Sequence, residues 1–359
     1  MKAGIRVERQ SYPSSAVLPR RVSVAMATWN GEKYIREQLD SLARQTLLPC
    51  ELVITDDGST DATLAVAEEF ARRAPFPVRI HRNPERLGYA DNFLRAASLC
   101  EGDLIAFCDQ DDIWMEQKLS TCVPFFAYPE VLLAAHSAWT LLPSGQRGRR
   151  FPHYARNWIP SWGKVDPFGF PLGFAMILRR ELLTVDALPS RPPKIHGHDQ
   201  WLWFLAVATG RIVKIAEALT LYRQHDSNLY GAGEKATVAR LAKGIAETLE
   251  YDTLAAEELA CARVLMNAAD RDPARAKRLR ATAHRVESRA ALHRRRTAIY
   301  ASGSGFLRRA GIWCRIFLKG GYWPDGSRTR LGPKAGLKDL LFGVTGALRR
   351  PASAPAAAE

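Results

Sequence analysis

With 359 residues, 47% hydrophobic and 25% charged, the chain has apolar material for a full core and length for more than one domain, which excludes an intrinsically disordered protein. Its formal net charge of +14 is lopsided: residues 1–231 hold 27 Lys/Arg against 25 Asp/Glu, residues 232–359 hold 24 against 12, so the basic excess belongs to the tail. Six scattered cysteines with no C-x-x-C pair argue against a zinc or disulfide framework and for a reducing compartment, and no window nears the roughly 18 uncharged apolar residues of a membrane span.

Residues 1–20 contain Lys2 and Arg6 but no apolar run of the kind a signal peptide needs, and read as a short disordered lead. Arg21–Ala27 is a β-rich run that stops at the turn Thr28-Trp29-Asn30-Gly31. From Gly31 to Gln45, Tyr34, Ile35, Leu39 and Leu42 recur at helical spacing, with Glu32 in the first turn, where an acid suits the helix dipole. Glu51–Thr55 is a second buried strand; it ends in Asp56-Asp57-Gly58-Ser59-Thr60-Asp61, and Leu64, Ala67 and Phe70 mark the next helix. Val78–His81 gives a third strand, Leu87-Gly88-Tyr89 a turn, Asp91–Leu99 a helix, and Leu104–Cys108 a strand without a polar face. That last strand runs into Asp109, Asp111 and Asp112. The alternation predicts a mostly parallel α/β sheet whose acids collect at the strands' carboxyl ends, where open sheets bind ligands. Three adjacent carboxylates repel one another unless a cation or donors compensate, although a solvated acidic turn would show the same residues. No P-loop occurs, and Gly303-Ser-Gly305 lacks the third glycine of a dinucleotide fingerprint.

Beyond Trp114 the pattern predicts a helix starting at Lys118 and running towards Phe126, a strand at Val131–Ala135, a mobile basic loop at Ser144–Arg150, and an aperiodic stretch at 151–173 with Trp158, Trp162, Phe168 and Phe170. A strand at Phe174–Leu178 follows. His196-Gly-His198-Asp199-Gln-Trp201 precedes an apolar helix to Thr209, so Asp199 reads equally as a helix cap. Ile212–Ile215 and Ala218–Tyr222 read as two short strands leading into Tyr222-Arg-Gln-His-Asp-Ser-Asn228. Val238, Leu241, Ile245 and Leu249 then open a helical region, with another helix over Pro273–Tyr300. Past Gly303 two basic amphipathic segments follow. The first places Trp313, Ile316 and Phe317 on one face, the second Leu337, Leu340, Leu341, Val344 and Leu348, and either packing on the core or docking on an anionic membrane accounts for them.

Val22-Ser-Val24, Thr28-Trp-Asn-Gly-Glu32, Asp56–Asp61, Arg86-Leu-Gly88 and Asp109-Gln-Asp111, in that order, resemble the family 2 glycosyltransferases of the GT-A fold over roughly residues 21–231. The resemblance implies that Thr28, Trp29 and Glu32 line a base and ribose pocket, that Asp57 accepts the imide N–H of uracil or thymine, and that Gln110 and Gly88 belong to the nucleotide-sugar site. It implies that Asp109 and Asp111 hold a divalent metal, Mg²⁺ or Mn²⁺, on the donor diphosphate, and that Asp199 is the general base. Hard cations with oxygen ligands are what allow acids to bind a diphosphate. Arg86 would meet a phosphate or the sugar, or is an exposed loop arginine; His225 would complete the metal shell, or lies at the surface. His198, Trp201 and Arg223 would form the acceptor side and the second layer around the base. The chain departs from the family's pattern at Ala27, often Pro, at Trp29, often Tyr, and at His198, often Glu, which leaves the base preference and the partner of Asp199 open. The Tyr222–Asn228 run is similar to bacterial rhamnosyltransferase-like members, and the Q-x-x-R-W run of processive synthases is absent.

The expectation is a cytoplasmic, inverting, metal-dependent transferase at the inner face of the plasma membrane, with a GT-A domain at 21–231, a helical region at 232–302, and basic amphipathic helices with a disordered end at 303–359. Its donor would be a dTDP- or UDP-sugar, rhamnose or another hexose, and its acceptor a glycan on a lipid carrier. A nucleic-acid-binding protein would also account for the basic tail but not for the acidic strand ends.

Overall fold

The computed structural model describes residues 5–6, 21–152, 154–169, 172–184, 191–192, 197–225, 251–301, 303–323 and 333–347. The chain divides into two compact units, one of Met1–Trp162, Pro167–Leu188 and Ile195–Ala232, the other of Gly163–Asp166, Pro189–Lys194 and Gly233–Glu359.

The first unit is built on one sheet. Strands β2 (Val22–Thr28), β3 (Glu51–Asp56), β4 (Val78–Arg82) and β5 (Leu104–Cys108) run parallel in the order β4-β3-β2-β5. Every residue of β3 and β5 is buried, as strands covered on both faces require. Between them run α1 (Ile35–Ala43), α2 (Thr63–Ala71) and α3 (Tyr89–Leu99). Helix α1 turns Ile35, Leu39 and Leu42 inward and α2 turns Thr63, Ala67 and Phe70, so the helical spacing holds, with Tyr34 and Leu64, also expected on the inner faces, only half-buried. Each large apolar side chain so buried is worth roughly 1.5–3 kcal/mol.

Past β5 the sheet becomes mixed. β10 (Met176–Arg179) lies antiparallel between β5 and β7 (Val131–Leu141), and β11 (Arg211–Arg223) runs parallel to β7. Here the structure corrects several expectations. The loop placed at Ser144–Arg150 contains β8 (Arg147–Phe151), a hairpin partner of β7, because β7 extends to Leu141 and offers it an edge. The two strands around Ile215 and Ala218 are one strand of 13 residues, with register shifts between them. The helix from Lys118 is short, α4 (Lys118–Cys122), before a 3-10 turn over Val123–Ala127, with Pro124 at its start. A 3-10 turn, Gly173–Ala175, precedes β10. Ile5–Arg6 forms β1 and pairs with β9 (Trp158–Ile159), so these two residues of the supposed disordered lead are part of the sheet. β6 (Ile113–Trp114) pairs with β11, and α5 (His198–Thr209) completes the unit.

The second unit is helical. α6 (Tyr251–Arg271) and α7 (Ala276–Tyr300) pack along each other; α8 (Phe306–Leu318), α9 (Pro333–Lys338) and a π turn over Asp339–Val344 close a small core of Tyr251, Ile299, Tyr300, Ile316, Tyr322 and Val344. Asp339 is fully buried within it and accepts four hydrogen bonds: two from Arg296 (2.7 and 2.8 Å) and one each from Tyr300 and Tyr322 (2.8 Å). The helical spacing at Val238–Leu249 and the position of Leu348 lie outside the described residues. Among those residues no helix is long and apolar enough to cross a membrane.

Candidate active site

The carboxyl ends of β2, β3 and β5 meet in three loops that hold one another. In the β3 loop, Asp56 accepts from the hydroxyls of Thr28 and Ser59 and from the N–H groups of Gly58 and Ser59, an Asx-type turn that leaves it no spare capacity. In the β5 loop, the Gln110 amide grips the Trp29 main chain from both sides, accepting its N–H at 2.9 Å and donating to its carbonyl at 3.0 Å. Gln110 thus reaches the nucleotide loop as a clamp, and a side chain on Gly31 would collide with it.

Asp57 is buried and engaged: Oδ1 accepts from Asn83 Nδ2 (2.9 Å) and Leu87 N–H (2.7 Å), Oδ2 from Gly88 N–H (2.8 Å). It therefore fixes the turn that carries Arg86, and Gly88 supports that turn at φ +82°, where a side chain is strained. The Arg86 guanidinium sits 3.9 Å from the centroid of Trp29, whose ring is 45% exposed. These two form a surface platform. Thr28 is buried with its hydroxyl on Asp56, and Glu32 accepts the Ala62 N–H at 2.8 Å at the start of α2. The expectation that these two side chains line a pocket is corrected to the extent that both are spent on shaping the loops.

The acidic cluster is compensated poorly. Asp112 is fully buried; its Oδ1 accepts the Arg223 N–H (3.0 Å) and its Oδ2 has no hydrogen-bond partner. Burial, then Asp111 and Asp109, push its carboxyl far above the usual range. Asp109 is raised as well, by burial, then by Asp111, then by Asp199, and no donor among the described residues reaches its carboxylate. Asp111 Oδ2 lies 2.8 Å from His225 Nε2, and the His225 ring stacks on Tyr34 at 4.9 Å. Arg223 sends its Nε to the Asp111 carbonyl (2.8 Å), a terminal nitrogen to Glu37 (2.7 Å), and lies over Tyr34. Beneath the cluster Lys118 is wholly buried: its ammonium donates to the Phe174 carbonyl (2.7 Å) and the Thr220 hydroxyl (3.3 Å) over the Trp114 ring, and burial pulls it down to about 7. Lys118, Glu37 and Tyr34 escaped the sequence reading. Nothing in the local sequence around Lys118, Glu116-Gln117-Lys118-Leu119-Ser120, sets it apart from a surface lysine.

These donors fit a hard divalent cation in their chemistry: the Asp109 and Asp112 carboxyls are raised by burial and then by neighbouring carboxylates, Asp112 Oδ2 is buried without a hydrogen-bond partner, and an imidazole touches Asp111. Among the described residues no three His, Cys, Asp or Glu side chains already converge on one point. Asp109, Asp111 and His225 are the residues that would hold the ion.

Asp199 stands in the first turn of α5, whose cap position is Gly197, so the capping alternative is set aside. Its Oδ1 accepts the Gln200 N–H at 2.8 Å, and burial, opposed by main-chain N–H groups that include that of Gly173, leaves its carboxyl at about 6. His198 does not orient it by any bond seen here; its ring is stacked on Phe93 (4.3 Å) and packed on Phe107 (4.9 Å). Trp201 is fully buried and stacked on Phe204, which corrects the expectation of it on the acceptor surface.

A family model described as glycosyl transferase family 2 matches residues 23–163, and the dTDP-rhamnosyl transferase RfbG of Shigella flexneri is 35% identical over 222 residues, 58% of this chain and 74% of that protein. The chain belongs to family 2 of the glycosyltransferases. An uncharacterized protein of Mycobacterium tuberculosis is 29% identical over 212 residues, 58% of this chain, and the match spans 60% of that relative's length. Among solved structures, TarS 1–349 of S. aureus in complex with UDP-GlcNAc superposes with a TM-score of 0.53 at 20% identity, covering 85% of this chain and 79% of that one, a likeness of fold that matches the GT-A arrangement.

Proposed function

We propose that the chain transfers a sugar, with inversion, from a dTDP- or UDP-sugar to a hydroxyl of a glycan carried on a lipid, acting in the cytoplasm at the inner face of the plasma membrane. The catalytic domain spans 21–231, followed by the helical region 232–302 and the basic helices 303–359. The observation that carries this reading is the gathering of Asp109, Asp111 and Asp112 at the carboxyl end of β5, with Asp112 Oδ2 unpartnered and Asp111 Oδ2 2.8 Å from His225 Nε2; Asp199, in the first turn of α5, is a separate carboxyl held at about 6 chiefly by burial. A bound Mg²⁺ or Mn²⁺ would neutralise the donor diphosphate and the departing nucleotide diphosphate. The chain's own residues do the rest. Asp109, Asp111 and His225 present the ligands, Arg223 and Tyr34 hold the last two in place, and the Trp29–Arg86 platform with the loop fixed by Asp57 receives the nucleoside. Asp199 takes the acceptor hydroxyl proton as the glycosidic bond forms, a transfer that a carboxylate near 6 makes without itself being locked in protonated form at neutral pH. Rhamnose is the sugar that the Tyr222–Asn228 run and the Shigella relative support.

The test is a donor panel of dTDP-rhamnose and UDP- and dTDP-hexoses, read by nucleotide diphosphate release with Mn²⁺ and with EDTA. Release from dTDP-rhamnose that EDTA abolishes is expected. Release from a hexose donor alone replaces the sugar, and undiminished release in EDTA removes the metal.

A further inference from the structure

Helix α8 shows an apolar stripe on the wrong side. Leu307, Gly311, Cys314 and Leu318, spaced four, three and four residues apart, share one face and are all exposed, with Leu307 84% and Leu318 82% accessible. Arg309 and Ile316, on the other side, are buried, Arg309 donating to the Val344 carbonyl and Ile316 in the small core. Trp313 is half-buried with its indole N–H on the Gly336 carbonyl (2.8 Å). Of the residues expected on the docking faces, Ile316 and Val344 thus face inward while Phe317, Leu337, Leu340 and Leu341 are exposed, and α8 turns a further stripe outward beside them. It does not stand alone: eight of the fourteen large apolar side chains exposed among the described residues lie between 306 and 341, including Phe306, Trp323, Leu337 and Leu341. Scattered surface leucines need no explanation, but such a concentration marks an interaction surface.

Charge says what covers it. The described residues 303–323 and 333–338 carry Arg308, Arg309, Arg315, Lys319, Lys334 and Lys338 and no acid, and Arg308 and Arg315 are exposed beside the stripe. The adjoining acid, Asp339, is buried and spent on Arg296. The geometry points to an anionic lipid bilayer as the partner, with Leu307, Leu318, Phe306 and Trp323 entering the headgroup–acyl boundary and the cations beside them meeting lipid phosphates. Apolar side chains with a purely basic border are what such a surface attracts, and the basic contribution is screened beyond about 8 Å at physiological salt. The inference stands independently of the transferase reading, since none of its residues belongs to the sheet edge.

The experiment uses the full chain in sedimentation with phosphatidylglycerol and with phosphatidylcholine vesicles, at low and high salt, beside light scattering without vesicles. The wild type is expected to sediment with phosphatidylglycerol only, less at high salt. Leu307→Glu together with Leu318→Glu should weaken that by at least about tenfold per leucine while leaving circular dichroism and nucleotide diphosphate release unchanged, because both side chains are already in water. Arg308→Glu with Arg315→Glu should weaken binding to phosphatidylglycerol vesicles and reduce its salt dependence. No sedimentation at low salt, equal sedimentation with both lipids, or undiminished binding by the leucine variant overturns the proposal. So does a dimer that the leucine variant dissolves in the absence of vesicle binding, which makes a second copy the partner.

Discussion

Two buried carboxylate sites in this chain are built on opposite terms. Asp339 in the helical unit has a bidentate arginine and two tyrosine hydroxyls, four donors for two oxygens. Asp109, Asp111 and Asp112 share one sheet edge with an imidazole, a main-chain N–H and an orphaned oxygen between them. Burying a carboxylate is costly in both places, and the protein meets that cost internally in one and leaves it open in the other. Local satisfaction marks Asp339 as structural; its lack at the acidic strand end is what the proposed divalent cation would answer.

The widest separation between the two should appear in Asp199→Asn, expected to lower turnover by about 10²- to 10⁴-fold with donor affinity and melting temperature held, as steady-state kinetics and calorimetry would register. A matching fall in stability would make Asp199 another Asp339. The converse variant, Arg296→Met, strands the buried Asp339 charge and should cost about 3–5 kcal/mol in urea unfolding of the helical unit. Little change there would mean that the four-donor cage is dispensable. Next in size, Asp109→Asn removes a carboxyl that the apo fold accommodates badly, and should stabilise the metal-free protein by about 1 kcal/mol while abolishing the response to Mn²⁺. Calorimetry of Mn²⁺ addition in two buffers should also show proton release from the wild type, growing as pH is lowered towards 6, and none from this variant. The smallest effect concerns pH. Because Asp199 must be ionised to act, turnover should fall as pH drops through about 6. Its folded value lies above the ordinary carboxylate range, so the folded chain binds more protons between about pH 4 and 6, and its contribution to stability is lost as pH rises through that window. A turnover profile flat down to pH 5 would remove Asp199 from the base role.

The first four parallel strands and their helices were legible because burial on both faces erases polarity within each strand, and because the apolar residues of α1, α2 and α3 keep helical spacing. The acids at the strand ends could be read for the same reason: polarity returns abruptly where cover stops. What failed was whatever depends on partners remote in sequence. Arg147–Phe151 became a strand only because β7 supplied an edge, and Ile316 turned inward to a core with Tyr251, Ile299 and Val344; Trp201, by contrast, stacks on Phe204 one helical turn away in a helix buried from Trp201 to Thr209. An amphipathic pattern tells that a helix has two sides, and α8, apolar on more than one of them, did not declare which would be covered. Asp57, Thr28 and Glu32 lie in the loops at the strand ends, but the hydrogen bonds they make are to Gly88, Asp56 and Ala62, partners that no spacing rule names.

The end of β11 has a consequence for how the protein is made. Arg223 ties to Glu37 across 186 residues of chain and to Asp112 across 111, and His225 meets Asp111 across 114. During synthesis at about 5–20 residues per second, the acidic loop leaves the ribosome roughly 6–20 seconds before its clamp does. The parallel half of the sheet can form in that interval, but Asp111 and Asp112 stay unheld until the last strand docks. Nascent chains stalled just before Arg211 and just after His225 should therefore differ sharply in protease protection of the loop around Asp111, so that the capacity to engage donor arrives as one late event when the domain is finished.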